Sequence, residues 1–449
     1  MLGKSGQSRR RFIHAAGAST AVGVLAGCVA PGGPAAQQAQ KPVLSAAPVT
    51  VTLYKRQVMT EPDAAIMLKD WYAAHPTWKV ELSQGNSTLE QLTPHIAGGA
   101  KIDMLGWYQT VRAFNKRTGI ALLLDDYIRR DNYDVKRFNA KELDLVGRID
   151  GKVYSLFYAY GGNLTAHFYN RALFKQVGVP EPPSDWNKAW SWDEFRDAMR
   201  RLTKKSDGAT TQVGITHYGD PVTSLLVHSD GKWITDDWKR ITSSDGELLQ
   251  TIDNWADLVN RDGATMASPG VNVGVTNNEQ AFLTGRAGMY VVAGGPAVPA
   301  KKFSDAGLDW GFAVSPKMKY ASPEVQSNTI LLTRQGAYPD HGWELLKYLV
   351  EGNRWGALEG RIPAIQDDAQ RWAGETFSHN SNARIEVITQ TTRIARPVDK
   401  YAYHPAFLEL NKVIQPVLAD IWAGKATARA ALPPLQSQLQ GIVDQFPAT

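Results

Sequence analysis

Cysteine is almost absent from this chain, because its 449 residues contain only one, Cys28. The chain can therefore form neither an internal disulfide nor a CxxC metal site. Its nine histidines show no ligand spacing, and the motifs G-x-S-x-G, H-E-x-x-H and G-x-x-x-x-G-K-[ST] are missing from the sequence. From these absences we expect no metal, no cofactor and no enzymatic activity.

A surplus of charge of one sign is also missing once the first residues are set aside. The formal net charge is +5, but Lys4, Arg9, Arg10 and Arg11 precede every acidic residue. Without these four, 45 basic residues face 44 acidic residues. We therefore expect no nucleic-acid partner. The hydrophobic content of 43% is that of a globular chain, and the length predicts two or three domains.

The first 28 residues carry an export pattern. Consecutive arginines at residues 9–11 precede a weakly apolar stretch at residues 15–26, which is too short to span about 30 Å of hydrocarbon. The sequence LAGC at residues 25–28 resembles the lipobox of bacterial lipoproteins. We expect residues 1–27 to be a twin-arginine lipoprotein signal peptide and Cys28 to carry the lipid. An ordinary buried cysteine in an amphipathic helix is the alternative.

Residues 28–48 are rich in Ala, Gln, Gly and Pro, which predicts a flexible tether between the lipid and the folded body. The body begins with predicted strands at residues 49–54, 78–82 and 102–106, which alternate with predicted helices at 62–75 and 88–97. This alternation is typical of a largely parallel sheet, whose ligands bind beyond the carboxyl ends of the strands.

Four polar or aromatic residues follow these predicted strands and are candidates for ligand binding. They are Arg56, Gln84, Trp107 and Tyr108. An indole can stack on the apolar face of a sugar ring, so Trp107 suits a carbohydrate ligand. The alternative is that Trp107 caps the core of its own lobe.

Several later segments carry a resemblance to a known family. DGKVYSLFY at residues 150–158, FYNRALFKQVGV at 168–179 and SWDEFRDAMRRLTK at 191–204 follow one another, and QAFLTGRAGM follows at 280–289. With the helix-like segment 343–349, the loop at 360–363 and the helical segment 407–443, their order resembles the extracellular solute-binding proteins of ABC importers, the family that includes maltose-type binding proteins. The resemblance covers about residues 49–445.

The resemblance implies a two-lobed α/β fold of the type II periplasmic-binding-protein kind, with the ligand in a cleft between lobes joined by a hinge. The implied first lobe is 49–156 plus 317–377, and the implied second lobe is 157–316 plus 378–449. The chain would cross near 156–160, 316–328 and 376–382.

The implied function is capture of an extracellular solute and its delivery to the permease subunits of an ABC importer by lobe closure. The length and the 14 tryptophans favour a sugar or an oligosaccharide. We expect a monomer outside the cytoplasm, held at the membrane through Cys28. A secreted glycan-acting hydrolase is the alternative function.

Further candidate residues come from the implied hinge and the second lobe. Alternation places Tyr158 and Tyr160 on one face of a strand, opposite Phe157, so both phenols are predicted to line the cleft. His217 follows a predicted strand, and Trp233 occupies a segment that resembles a cleft loop of the family. Each of these residues has a plain structural alternative as a core or hydrogen-bonded residue.

The last two candidates are Gly294 and Arg361. Gly294 follows a predicted strand, where a glycine lets backbone N–H groups approach a ligand. Relatives commonly carry Gly-Pro-Trp here, whereas this chain has Ala297, so one stacking platform of a maltodextrin-type site is missing. Arg361 could hold hydroxyls or a carboxylate, and a surface salt bridge is the alternative.

Overall fold

The computed structural model describes residue 44 and residues 47–55, 60–84, 98–108, 111–160, 167–217, 221–292 and 294–448. Over this part of the chain, no helix has the length and hydropathy needed to cross a membrane.

The strands, in chain order, are β1 (Val49–Lys55), β2 (Trp78–Gln84), β3 (Met104–Tyr108), β4 (Arg148–Ile149), β5 (Lys152–Val153), β6 (Ser155–Tyr160), β7 (His167–Asn170), β8 (Lys204–Ser206), β9 (Ala209–Ile215), β10 (Ala287–Val291), β11 (Trp310–Ala313), β12 (Glu324–Val325), β13 (Ser327–Leu332), β14 (Ile362–Pro363) and β15 (Arg396–Pro397).

The α-helices are α1 (Glu61–Ala74), α2 (Val111–Thr118), α3 (Asp125–Arg130), α4 (Ala140–Glu142), α5 (Arg171–Gln176), α6 (Trp192–Leu202), α7 (Pro221–Leu226), α8 (Gly246–Asn260), α9 (Asn278–Leu283), α10 (Ala297–Asp305), α11 (Pro339–Val350), α12 (Arg354–Leu358), α13 (Gln366–Thr376), α14 (Glu386–Ile394), α15 (Phe407–Trp422), α16 (Ala428–Ala431) and α17 (Gln436–Gln445).

A six-stranded sheet in the order β14-β6-β13-β3-β1-β2 forms the centre of what we call the first lobe. β1 runs parallel to β2 and β3, so Lys55, Gln84 and Gly106 lie side by side at the carboxyl edge. β13 is antiparallel to both β3 and β6, so the sheet is mixed. The strands β1, β2 and β3 are parallel to one another, as predicted.

The third strand lies two residues later than its sequence predicted. β3 begins at Met104, and Trp107 and Tyr108 are its last two residues instead of following it. The reason is the pairing of Trp107 with Thr329 and of Tyr108 with Asn328, because β13 extends the ladder past the local β signal.

A five-stranded sheet in the order β11-β7-β10-β9-β8 forms the centre of the second lobe. The chain leaves the first sheet after Tyr160 and enters the second at His167, and it returns between Ala313 and Ser327. The expected boundary at residue 156 falls inside β6, whose pairing with β13 continues to Tyr160. β12 and β15 form a separate parallel pair near the return crossing.

The helix signals of the second lobe are as predicted. α6 begins with a capping box, in which the Ser191 hydroxyl accepts from the Glu194 N–H at 3.3 Å and the Glu194 carboxylate accepts from the Ser191 N–H at 2.8 Å. Its buried face contacts the sheet through Phe195 and Met199. The C-terminal helices α15 to α17 share a core with α7 and α8, which attaches the end of the chain to the second lobe.

Candidate functional site

The residues predicted at the carboxyl edge of the first sheet are only partly covered by the structure. Arg56 lies outside the described residues, and Gln84, Trp107 and Tyr108 are described through their backbones alone. Their backbones end β2 and β3 at the same edge, next to Lys55, as the sequence predicted. Ligand contact by these four residues stays a prediction.

The predicted common face of Tyr158 and Tyr160 is broken by a β-bulge. The register of β6 against β13 shifts because Ala159 pairs with Asn328 and Phe157 with Thr329, which leaves Tyr158 as an extra residue. The Phe157 and Tyr160 rings are therefore neighbours, 5.4 Å apart, and both are buried. The expectation that Phe157 faces away from Tyr160 was wrong.

Tyr158 instead belongs to a group of polar side chains centred on Glu359. Its ring stacks on Trp355 at 4.6 Å, and its hydroxyl lies 3.4 Å from both Glu359 carboxylate oxygens. Burial raises the pKa of Tyr158 well above its ordinary value, so the phenol stays protonated. The Asn328 amide donates to the Tyr158 hydroxyl at 3.1 Å and to Glu359 at 3.3 Å.

Two cations complete this group, which we call the Glu359 cluster (Lys55, Tyr158, Asn328, Trp355, Glu359 and Arg361). Arg361 forms an ion pair with Glu359, and the Lys55 ammonium lies 3.7 Å from the same carboxylate. The side chains of Lys55 and Arg361 are only 7% and 10% exposed. Arg361 is therefore already paired, in a buried ion pair instead of the surface salt bridge that the sequence left open beside ligand binding.

Gly294 lies against this cluster from the second lobe. It has a φ of 112°, and the neighbouring Gly295 approaches so closely that an added Cβ would lie 2.2 Å from the Glu359 carbonyl oxygen. The Ala297 N–H also donates to the Gly360 carbonyl at 3.2 Å. In this structure the glycines bring two backbone segments together, one from each lobe.

The two candidates of the second lobe lie apart from each other. His217 follows β9, is half-buried, and its Nδ1 has no hydrogen-bond partner among the described residues. Burial lowers the pKa of His217, so the imidazole is neutral. Trp233 is 2% exposed and its ring lies 5.6 Å from that of Tyr401, so the structure does not bring it to a ligand-accessible surface.

A cavity of about 410 Å³ lies between the two lobes, close to Trp233 but lined by its neighbours. Its volume falls in the range of about 300–1,000 Å³ that is usual for small-molecule sites. The first lobe contributes Arg112, Lys141, Asp144 and Leu145. The second lobe contributes Leu226, Val227, Ser229, Gly231, Lys232, Asp236 and Trp238. The segment that contains β15 contributes Arg396, Pro397, Val398, Asp399 and Lys400.

Trp238 is the aromatic residue of this cavity. The Arg112 guanidinium lies 4.7 Å from its ring and the Lys400 ammonium 5.3 Å from it, so cations from two parts of the chain meet at one indole. Trp238 has a φ of 67°, a left-handed conformation that tryptophan rarely adopts. Backbone strain of this kind is concentrated at functional sites.

The acidic side chains of the cavity are either paired with a cation or partly protonated. Asp236 pairs with Lys232 at 2.7 Å and lies 3.8 Å from Lys400, whereas Asp144 pairs with Arg148 at 2.7 Å. Burial raises the pKa of Asp399 to about 7, so its carboxyl is only partly ionised at neutral pH.

Sequence reasoning missed Arg112, Trp238, Arg396 and the other residues of this cavity. Arg112 is in α2, Trp238 in a loop and Arg396 in β15. Spacing in the sequence carries no signal for their meeting, since 126 residues separate Arg112 from Trp238 and 158 separate Trp238 from Arg396. The positive φ of Trp238 is likewise invisible in the sequence.

The sequence of the chain matches a known protein family. The sequence profile described as "Bacterial extracellular solute-binding protein" matches residues 57–351, about two thirds of the chain. The chain belongs to this family. Its members are extracellular, so the protein acts outside the cytoplasm.

Individual binding proteins resemble this chain over most of its length, although their sequence identity to it is low. A binding protein of Brucella abortus is 22% identical over 419 residues, which are 88% of this chain and 93% of the relative. An ABC substrate-binding protein from Listeria monocytogenes in complex with cycloalternan is 18% identical with a TM-score of 0.72, covering 89% of this chain and all of that one. The sugar-binding protein MalE from Xanthomonas citri is 16% identical with a TM-score of 0.72, covering 88% and 98%. These likenesses confirm the predicted two-lobed α/β fold.

Proposed function

We propose that this solute-binding protein captures a carbohydrate in the interlobe cavity and delivers it to an ABC importer. The observation that carries the proposal is one cavity of about 410 Å³ lined from both lobes. It combines an indole with many directional hydrogen-bonding groups, which suits the apolar faces and hydroxyls of a sugar. The neighbours named for cycloalternan and sugar binding support the same class of ligand.

Capture would couple to transport through the lobes. A ligand that contacts Arg112 of the first lobe and Ser229 or Lys232 of the second interacts with both lobes only when they are close together. Such differential contact favours the closed state. The closed pair of lobes would then present its surface to the permease subunits, with the protein acting as a monomer.

A thermal-shift screen of neutral and acidic mono- and oligosaccharides tests capture. A ligand that binds only the native state stabilises it by about 2.7 kcal/mol when present at about 100 times its Kd. We expect saturable stabilisation by at least one sugar, with the sugar recovered unchanged. Release of product from a bound glycan would instead favour the alternative of a glycan-acting hydrolase.

The membrane anchor is a separate proposal, because Cys28 lies outside the described residues. We propose that a lipid on Cys28 holds the protein at the membrane after twin-arginine export. The variant Cys28→Ala should appear in the soluble fraction with sugar binding intact, and membrane retention would contradict the anchor. Replacing Arg9 and Arg10 by Lys should block export, whereas normal export would point to the general secretory route.

Arg56, Gln84, Trp107 and Tyr108 remain proposed ligand contacts at the carboxyl edge of the first sheet. Of the second-lobe tryptophans Trp233 and Trp238, both largely buried, we place Trp238 ahead because it lines the cavity.

A further inference from the structure

The interlobe cavity holds more positive than negative charge. Among the described residues that line it, five side chains are cationic and three are acidic. Two of the acids are engaged locally, Asp144 by Arg148 and Asp236 by Lys232. The third, Asp399, is partly neutral near pH 7, because burial raises its pKa to about 7. The negative charge available to balance the cations is therefore small.

Three cations of the cavity have no carboxylate partner within the described part of the chain. They are Arg112, Lys141 and Arg396, which come from α2, α4 and β15. Arg396 lies 3.9 Å from the centre of the Tyr320 ring, and the nearby Asp230 already pairs with Lys319. Aromatic rings lie against both guanidiniums, and neither guanidinium forms an ion pair with a carboxylate among the described residues.

Of these three cations, Arg112 gives the strongest indication of an anion-binding site. It is only 8% exposed, and the charge of Asp150 favours its cationic form only from beyond ion-pair distance, although burying a charge without a paired counter-ion is costly. One Nη donates to the Arg148 carbonyl at 3.0 Å, but the buried Nε has no hydrogen-bond partner among the described residues. The Arg112 side chain lines the cavity, and a guanidinium there with no carboxylate within ion-pair distance among the described residues is suited to an anion that arrives with the ligand.

We propose that the captured carbohydrate is anionic, carrying a carboxylate or a phosphate group that Arg112, Lys141 and Arg396 bind. This inference rests on the proposed function, since it names the class of sugar that the same cavity takes. Arg forms paired, charge-assisted hydrogen bonds with either oxyanion, and Lys141 lies at the exposed rim, where it attracts the anion. A neutral sugar would leave these three cations of the cavity without an anionic partner.

Titration calorimetry of the full-length protein with matched sugars tests this inference. The pairs are trigalacturonate with galactotriose, and glucose 6-phosphate with glucose, with inorganic phosphate as a control. We expect one acidic sugar to bind about 10- to 150-fold more tightly than its neutral partner, and its affinity to fall as salt is raised. The member of the panel that binds distinguishes a carboxylate from a phosphate.

Variants locate the anion. Arg112→Gln and Arg396→Gln should each lower the affinity for the acidic sugar at least about tenfold, and Arg393→Gln, an exposed arginine three residues from Arg396, should leave it unchanged. Circular dichroism checks that each variant is folded, and a variant that fails to fold is replaced by Lys141→Gln at the exposed rim.

The outcomes separate the two proposals. Neutral sugars that bind as tightly as their acidic partners would overturn the anionic ligand and leave carbohydrate capture standing. Inorganic phosphate that binds as tightly as glucose 6-phosphate would overturn the requirement for a sugar. An absence of binding by every neutral and acidic sugar would contradict the proposed function itself.

Discussion

The Glu359 cluster and the interlobe cavity hold their cations in different ways. In the cluster, Lys55 and Arg361 share one carboxylate and are almost fully buried. In the cavity, Arg112 and Arg396 lie against the rings of Trp238 and Tyr320 and have no carboxylate partner among the described residues. The carboxylate pairing of Lys55 and Arg361 commits their charges to the fold, whereas Arg112 and Arg396 keep theirs for a ligand.

The largest effect should come from breaking the cluster at its centre. Glu359→Gln removes the only carboxylate of the cluster and leaves Lys55 and Arg361 as buried, unpaired cations. We expect a loss of about 3 kcal/mol in the free energy of unfolding, measured by urea denaturation. The control Glu351→Gln removes an exposed carboxylate 3.6 Å from Arg137 and should cost less than about 1 kcal/mol. Equal losses in both variants would show that the cluster is not structural.

Two matched arginine variants sharpen the comparison. Arg361→Gln should lower the free energy of unfolding by about 1.5–3 kcal/mol, because it removes a charged hydrogen bond to Glu359. Arg396→Gln should lower it by less than about 1 kcal/mol, since only an aromatic contact is lost. A greater loss of stability for Arg396→Gln than for Arg361→Gln would contradict a structural role for Arg361 and a ligand-binding role for Arg396.

The smallest effect concerns pH. Asp399 faces Lys232 and Asp236, and burial raises the pKa of its carboxyl to about 7. A carboxyl with a raised pKa is neutral below that pH and becomes charged above it, so raising the pH adds negative charge to the cavity. We expect the affinity for a carboxylate sugar such as trigalacturonate, which is fully ionised throughout this range, to fall about three- to tenfold between about pH 6 and pH 8, measured by calorimetry.

Asp399→Asn should remove this pH dependence, because the amide stays neutral throughout. Asp236, whose pKa is lowered by its hydrogen bond to Lys232, is ionised over the same range and should contribute no change. A variant that retains the full dependence would assign it to another group.

Local signals in the sequence predicted much of the fold. β1, α1 and the capping box of α6 lie where strand, helix and cap residues indicated, because each depends on neighbours within a few positions. The parallel order of β1, β2 and β3 also followed from strand–helix alternation. The second lobe was predicted only from the resemblance to solute-binding proteins.

The candidate site was harder to predict because it depends on distant pairings. The bulge at Tyr158 comes from the register against β13, about 170 residues away, and local alternation cannot anticipate it. The sequence around Trp233 resembles a cleft loop, but in the structure the Trp233 ring packs against Tyr401. Arg112 and Arg396 are ordinary arginines in the sequence, and only the fold shows that they share a cavity.

Hydrogen–deuterium exchange of the full-length protein, with and without a sugar that binds, tests the central claim most directly. Capture between the lobes predicts that the sugar slows amide exchange in residues 226–238 and 396–400, which line the cavity from the second lobe and the β15 segment, and around Arg112 in the first lobe. Residues 353–361 around Glu359 should change less. Protection confined to residues 353–361, or to one lobe alone, would contradict capture in the interlobe cavity.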